Sequence, residues 1–252
     1  MTATKKRKRQ FYPENIPTAV DKFRETQGIP RSCSYTLEKP ISGGQCQIFQ
    51  LSFSVGVKWS VRCPVHMKCS EEAIIDVLRN EISVLQELET SGFEWSPKVI
   101  GFDLTFDNPT GLPFIVLSWI ACSKLAWNDC IPSRYQRDKV LSQLANILIA
   151  LISCTAKKSS GNTSLIYLTN IVDKKTARVR SGHLPGIRVE DCLDLRDLLG
   201  DVVHGELNNA PFFIGHGDLS PENIIVDSDF NITGLVAPLA LIWIWLTKFQ
   251  DC

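Results

Sequence analysis

The sequence predicts an α+β fold: an antiparallel sheet first, then a mainly helical part. Three observations predict it. Short runs rich in β-branched and aromatic residues fill the stretch from Tyr35 to Leu117 around one amphipathic helix pattern. A broad apolar helix pattern, Arg137 to Ile152, opens the second half. Near the end, a polar loop from His216 to Asn223 is followed by two apolar runs, Ile224 to Val226 and Ile232 to Val236.

Composition sets the outer bounds. The 252 residues suffice for one large domain or a two-lobed one with a proper core. With 44% hydrophobic and 21% charged residues, the chain is of ordinary globular type. With a net charge of zero, nothing suggests the broad basic footprint of a nucleic-acid binder, and none is expected. The nine cysteines, Cys33, Cys46, Cys63, Cys69, Cys122, Cys130, Cys154, Cys192 and Cys252, form no Cys-x-x-Cys pair. They read as free thiols of a reducing compartment rather than as disulfides or zinc ligands. The histidines His66, His183, His204 and His216 show no ligand spacing with them. The basic run Lys5 to Arg9 lacks a following apolar segment, so it is not a signal peptide. It reads as a solvated tail of a cytoplasmic protein, with nuclear localisation as the second reading.

Residues 1–34 read as that basic tail with one short helix. Tyr35 to Lys39, Ile48 to Phe53 and Trp59 to Cys63 read as strands, with Ile41 to Cys46 as a bend. Gly43 and Gly44 in that bend would let backbone N–H groups approach a phosphate, although a paired glycine also makes a plain turn. Ser70 with Glu71 and Glu72 starts a helix, a capping hydroxyl followed by acids at the positive dipole end. Ile74, Ile75, Leu78, Ile82, Leu85 and Leu88 form its stripe, and Thr90 to Gly92 ends it. Glu81 lies beside the stripe and needs a cation, for which Arg62 on the preceding strand is the candidate; the other reading sends Glu81 to solvent. Three strands, then a helix whose acid meets a strand cation, is the plan of a kinase small lobe.

Lys98 to Phe102 and Phe114 to Leu117 read as two more strands around the turn Asn108 to Gly111. Ser118 to Asp129 reads as a hinge whose backbone would bond an adenine. Leu117 and Trp119 at its start stand as candidate nucleotide-binding residues, while Trp119 and Trp127 also suit lobe packing. The helix at Arg137 to Ile152 should be buried. After a polar loop, Leu165 to Asn170 and Thr176 to Val179 read as a hairpin, and Glu190 to Val203 as a shorter amphipathic helix.

Asp218 sits two residues after His216, and Asn223 five residues after Asp218. This His-x-Asp-x-x-x-x-Asn spacing is that of a kinase catalytic loop. Phosphoryl transfer needs an acid to orient or deprotonate the attacking hydroxyl, a role Asp218 fits. It also needs ligands for Mg²⁺, and the amide oxygen of Asn223 suits that hard cation. His216 is expected to fix the loop by a side-chain hydrogen bond. The plainer reading makes this a polar loop between strands with Asp218 capping a turn.

The string His216-Gly217-Asp218-Leu219-Ser220-Pro221-Glu222-Asn223 resembles the aminoglycoside phosphotransferase family, which includes choline-kinase-like and homoserine-kinase-like enzymes, and more narrowly its fungal branch. Pro40 to Gly44, Trp59 to Arg62, Asn80-Glu81 and Pro113 to Ile120 are similar to that branch in order and spacing. The resemblance runs from Tyr35 to Val236. It implies a protein-kinase-like two-lobed fold with ATP between an antiparallel-sheet N-lobe, residues 35–117, and a mainly helical C-lobe, residues 118–236. It implies transfer to a small-molecule hydroxyl, with Asp218 as catalytic base and Asn223 as a Mg²⁺ ligand. Arg62 stands where kinases place the ATP-contacting lysine, with Glu81 as its partner; its wider bidentate head would alter the phosphate geometry. Gly217 replaces the arginine that senses a phosphorylated activation segment in protein kinases, so a regulated protein kinase is not expected.

The sequence departs from that family mildly at Ile120-Ala121-Cys122 and sharply after Val236. An aspartate chelating the second Mg²⁺ position is expected after Val236, and Ala237 stands there instead. Residues 237–252 lose the resemblance and carry an apolar run too short for a membrane span. They read as non-native coding, such as intron read-through or a frameshift, with a buried strand or helix end as the other reading. The C-lobe is accordingly expected to be incomplete. Two functional expectations follow: a phosphotransferase impaired by the lost ligand, or a non-catalytic kinase-like protein that binds nucleotide weakly or acts through protein contacts. The phosphate acceptor and the oligomeric state are not legible.

Overall fold

The structure, a computed structural model, describes residues 10–42, 44–67, 69–156, 163–203, 205–209, 212–236 and 242–245. It divides into two compact units, Met1–Ala150 with His216–Leu241, and Leu151–Gly215 with Ile242–Cys252.

In the first unit the segment before the sheet is folded, which corrects its reading as a tail. A 3-10 turn at Pro13–Asn15, α1 (Ile16–Val20), and further 3-10 turns at Asp21–Phe23 and Glu25–Gln27 follow one another. Ile16, Ala19 and Val20 share one side of these turns and are buried, with Ile29, in the same core as Phe49, Leu51, Phe53 and Trp59. Arg24 ties the segment together from a buried position. It donates to Asp21 Oδ1 at 3.1 Å and to the Cys33 carbonyl at 2.9 Å, and lies 5.4 Å from the centre of the Phe53 ring. The apolar residues here are few and interrupted by polar ones, so the sequence shows no periodic stripe.

The main sheet contains β1 (Tyr35–Leu37), β2 (Ile41–Ser42), β3 (Gln47–Phe53), β4 (Lys58–Cys63), β5 (Val99–Asp103) and β6 (Phe114–Ser118). Its order is β1-β3-β4-β6-β5, with β2 also paired to β3, and every pairing is antiparallel. Side chains alternate across a strand. Phe49, Leu51, Phe53, Trp59, Val61 and Val116 therefore face the α1 side, while Ile48, Ser60, Arg62 and Leu117 face the other, where they line a cavity. Gly101 lies at a register shift in β5, where a Cβ would come within 2.4 Å of the Phe23 ring.

Helix α2 (Glu71–Thr90) begins where Ser70 Oγ accepts from the Ala73 amide at 3.2 Å, and ends at Ser91 before Gly92 turns the chain at φ 77°. Its buried face carries Ile74, Leu78, Ile82, Leu85, Leu88 and the carboxylate of Glu81. Beyond the hinge, β7 (Ser123–Lys124), β9 (Ile224–Val226) and β10 (Ile232–Leu235) form a small antiparallel sheet in the order β10-β9-β7. The chain turns between β9 and β10 on Asp227. Its carboxylate accepts from the amides of Asp229 and Asn231 and from the Asn231 side chain, at 2.8 to 2.9 Å. Those bonds, the Asn231 side chain first, hold the Asp227 pKa below its usual 3.8. Stability from a lowered carboxylate pKa is present above the unfolded pKa and lost as pH falls through the folded value. Asp227→Ala should therefore lower the thermal midpoint at neutral pH. The gap to the parent chain should close below pH 3.8, as pH-dependent melting would show.

Helix α3 (Arg134–Thr155) is anchored on the β9–β10 turn: Lys139 Nζ donates to the Asp229 carbonyl at 2.8 Å, and Gln143 bonds the Phe230 carbonyl and the Ile232 amide, each at 3.0 Å. It is less buried than its apolar sequence predicts. Val140, Ile147 and Leu151 are enclosed, yet Leu141 is 54% and Ile149 61% exposed. By length and composition alone, α3 would be long and apolar enough to cross a membrane.

The second unit contains α4 (Ser164–Arg180), α5 (Val189–Val202), β8 (Phe212–Gly215) and β11 (Ile242–Trp245). The expected hairpin within residues 165–179 is not there; α4 occupies the whole stretch. Thr163 Oγ1 caps it by accepting from the Ile166 amide at 3.4 Å, and Val172 and Thr176, four residues apart, are buried on one side. The β-branched residues that suggested strands are set at helical spacing, and packing decides the outcome. β8 and β11 pair antiparallel, and Thr155 Oγ1 accepts from the Ile214 amide at 3.0 Å.

Candidate active site

One cavity of about 660 Å³ opens within the first unit. Gly44, Gln45 and Cys46 border it from the bend before β3, Ser60 and Arg62 from β4, and Glu81 and Leu85 from α2. Leu117 to Ile120 supply the hinge side, and Asp218, Ser220, Glu222 and Asn223 the opposite rim. The structure thus brings Gly44, Arg62, Glu81, Leu117, Trp119, Asp218 and Asn223 to a single space. Gly43 and Ala237 lie outside the described residues.

Arg62 stands in the middle of the sheet, opposite Ile48 on β3 and Ile115 on β6. Its Nη1 lies 3.2 Å from Glu81 Oε1, with side-chain exposures of 13% and 7%, so the pair is largely removed from water. Burial raises the Glu81 pKa, and the Arg62 charge opposes the rise without cancelling it. Arg62 Nε is buried with no hydrogen-bond partner among the described residues, so the guanidinium keeps an unspent donor. Beside it, burial pushes the Cys46 thiol up, with Arg62 again opposing.

The loop is built on Asn223. Its amide Nδ2 donates to the Asp218 carbonyl at 2.7 Å, to Asp218 Oδ2 at 3.1 Å and to Ser220 Oγ at 3.3 Å. The Asn223 carbonyl accepts from the Val236 amide at 2.8 Å, which joins the loop to the end of β10. The nitrogen of Asn223 is spent on the protein, and its amide oxygen is the atom left for a ligand. His216 does not line the cavity. Both its ring nitrogens are enclosed without a hydrogen-bond partner among the described residues, so the expected loop-fixing bond is not made there. Burial lowers the His216 pKa, with the nearby Asp218 charge acting the other way.

The hinge is already partly engaged. The Ser118 amide donates to the Lys98 carbonyl at 2.9 Å, and the Trp119 amide to the Lys58 carbonyl at 3.2 Å. Among the described residues, Ile120 carries the first hinge amide not bonded to another backbone carbonyl. Ile120 in turn rests on Gly234, where a Cβ would lie 2.6 Å from Ile120 Cδ1. Gly234→Ala should push that side chain toward the cavity. It should cost about 1–3 kcal/mol of stability and weaken nucleotide binding, both measurable by melting with and without nucleotide.

The lining holds groups that could meet a nucleotide and groups that could meet a metal. The volume, the Arg62 guanidinium and the Ile120 amide, unbonded to backbone among the described residues, could meet phosphate and base. Mg²⁺ at a nucleotide is held by one or two carboxylates plus phosphate oxygens. Here Asp218 is tied to Asn223, and the described residues contain no cluster of three or more His, Cys, Asp or Glu that could hold a metal. Ala237 has no ligating side-chain atom. The sequence reading missed Cys46, Ser60 and Glu222. Ser60 was legible by the two-residue period from Arg62, and Glu222 sits inside the loop string itself.

No protein-family model matches the chain, and no curated protein matches it. Solved structures do. A protein of Ralstonia eutropha JMP134 assigned as an aminoglycoside phosphotransferase aligns over 91% of this chain with a TM-score of 0.57 at 12% identity. The present chain spans 65% of that protein's length. The aminoglycoside-3'-phosphotransferase of type VIII aligns over 88% of this chain and 76% of its own, with a TM-score of 0.51 at 18% identity. The GDP and kanamycin complex of APH(2")-IIia covers 87% and 71%, with a TM-score of 0.50 at 20% identity. At these identities the likeness is one of fold. The chain has the protein-kinase-like α+β fold of the aminoglycoside phosphotransferases, with an antiparallel sheet and a helical part.

Proposed function

We propose that the cavity binds ATP and that the chain is a phosphotransferase of the aminoglycoside-phosphotransferase type, directed at a small-molecule hydroxyl and impaired in its transfer step. The observation that carries this reading is the convergence of the Arg62–Glu81 pair and the Asp218–Asn223 loop on one cavity. Arg62 would hold phosphate oxygens through the part of its guanidinium that lines the cavity, and the Ile120 amide would take the base edge. Asp218 would accept the proton of an incoming hydroxyl at its carboxylate. A bound Mg²⁺ would supply charge neutralisation across the phosphates. Asp218 and Asn223 border the cavity, but position 237 is an alanine, so transfer is expected to suffer more than nucleotide binding. That same observation favours the second reading, a non-catalytic nucleotide binder.

Calorimetric titration of the full chain with ATP, with and without Mg²⁺, tests the first half. Binding that Mg²⁺ strengthens little is expected, and no detectable binding would remove both readings. Radiolabelled phosphate transfer to a panel of aminoglycosides, choline and homoserine tests the second half. Transfer no higher than in Asp218→Asn is expected. Mg²⁺-dependent transfer that Asp218→Asn abolishes would show that the site is not impaired.

A further inference from the structure

Helices α4 and α5 form an antiparallel hairpin. Asp173 on α4 meets Arg196 on α5 at 2.8 Å, which sets Ile171 level with Leu198. Buried Val172 and Thr176 on α4, and Cys192 and Leu199 on α5, form the hairpin's enclosed side. The described residues leave a second apolar stripe uncovered. Leu195, Leu198 and Val202, spaced three and four residues apart on α5, are 44%, 55% and 60% exposed, and Ile171 on α4 is 44% exposed. At 100° per residue, this stripe and Ile171 fall on the face of the hairpin turned away from the Asp173–Arg196 pair.

The two helices differ in charge. The C-terminal half of α4 carries Lys174, Lys175, Arg178 and Arg180 against Asp173 alone. Helix α5 carries Glu190, Asp191, Asp194, Asp197 and Asp201 against Arg196 alone. Lys175 and Arg178 flank Ile171, while Asp194 and Asp201 immediately precede Leu195 and Val202. One face therefore holds an apolar stripe with a basic border on one helix and an acidic border on the other. A two-fold axis lying in such a face parallel to the helices sets each α4 against the α5 of a second copy, so unlike borders meet at both contacts; an axis across the helices would set like borders together. A partner carrying only one sign would match half of the face.

We propose that this face is the self-association surface of the protein: two copies pair through their α4–α5 hairpins as a four-helix arrangement, with Leu195, Leu198, Val202 and Ile171 in the seam. This inference is independent of the nucleotide-site reading. The seam buries apolar side chains now in water, and the borders fix orientation while weakening with salt.

Sedimentation equilibrium of the full chain tests it. The expected species is a dimer, twice the 28.2 kDa chain mass, that dissociates on dilution and more readily at high salt. Leu195→Glu/Leu198→Glu should be monomeric with unchanged helicity by circular dichroism. A charge swap gives a readout that does not depend on disturbing the apolar stripe. Lys175→Glu/Arg178→Glu and Asp194→Lys/Asp201→Lys should each self-associate at least about tenfold more weakly, yet pair with each other when mixed. A chain monomeric at every concentration, a dimer untouched by the leucine substitutions, or charge variants that fail to pair on mixing would each overturn the proposal. A monomer that instead binds a basic peptide or anionic vesicles would assign the face to another partner and overturn it equally.

Discussion

Glu81→Ala should destabilise the protein by about 3–5 kcal/mol, among the largest losses expected of any single polar substitution here. The reason is the partner left behind. Arg62 is 13% exposed and pairs with Glu81 across 3.2 Å, so truncation strands a cation in the low-dielectric space between β4 and α2. Replacing both groups, as in Arg62→Met/Glu81→Leu, should restore most of the lost stability, because two well-packed apolar side chains leave nothing unpaired. Nucleotide binding should not return in that double variant, since the guanidinium proposed to meet the phosphates is gone. Urea unfolding and nucleotide titration on the same three proteins separate the two effects. The pH dependence has the sign of desolvation, opposite to that of the ion pair. Burial raises the Glu81 pKa above 4.5, so the stability linked to its protonation is complete below that value and fades as pH climbs through the raised one. The double variant should lack this slope. A Glu81→Ala chain within about 1 kcal/mol of the parent would mean that water reaches the pair.

Trp59→Ala should cost a similar amount, about 3–5 kcal/mol, by a different route. Trp59 is 1% exposed and lies opposite Leu51 on β3 and Ser118 on β6. Its ring meets Phe53 edge to face, with centroids 4.7 Å apart at 72°. Truncation removes the ring and leaves a cavity between the sheet and the α1 segment that rigid neighbours can only partly fill. Trp59→Phe, which keeps an aromatic body, should cost much less. Chemical denaturation of both variants measures the difference, and equal losses would mean that ring volume is not the cause.

The sheet and α2 were readable because their signals are local and strongly periodic. Alternation placed Arg62 on one face of β4, and helical spacing placed Glu81 beside the α2 stripe, so their meeting could be anticipated before any coordinates. The loop was readable as a spacing of residue types. Other features arise only from packing. Ile166, Ile171, Val172 and Thr176 favour strands by propensity, yet Thr163 caps them into α4 and the hairpin with α5 holds them there. The exposure of Leu141 and Ile149 could not be told from an apolar pattern, which records what could be buried and not what covers it. The lack of a His216 partner among the described residues and the engaged amides of Ser118 and Trp119 depend on where distant backbone lies, which no local window reports.

The segment before the first strand has a practical consequence. Ile16, Ala19, Val20 and Ile29 cover a sheet face made of Phe49, Leu51, Phe53, Trp59 and Val116. A polypeptide trimmed to begin at Tyr35, where the strand pattern starts, would present that aromatic surface to water. It would then be prone to clump through the bared face, and poor solubility would be mistaken for a defect of the sheet itself. The smallest soluble version of the first unit must therefore keep the chain from about Gln10 onward, where the Gln10 carbonyl already lies against Gly111.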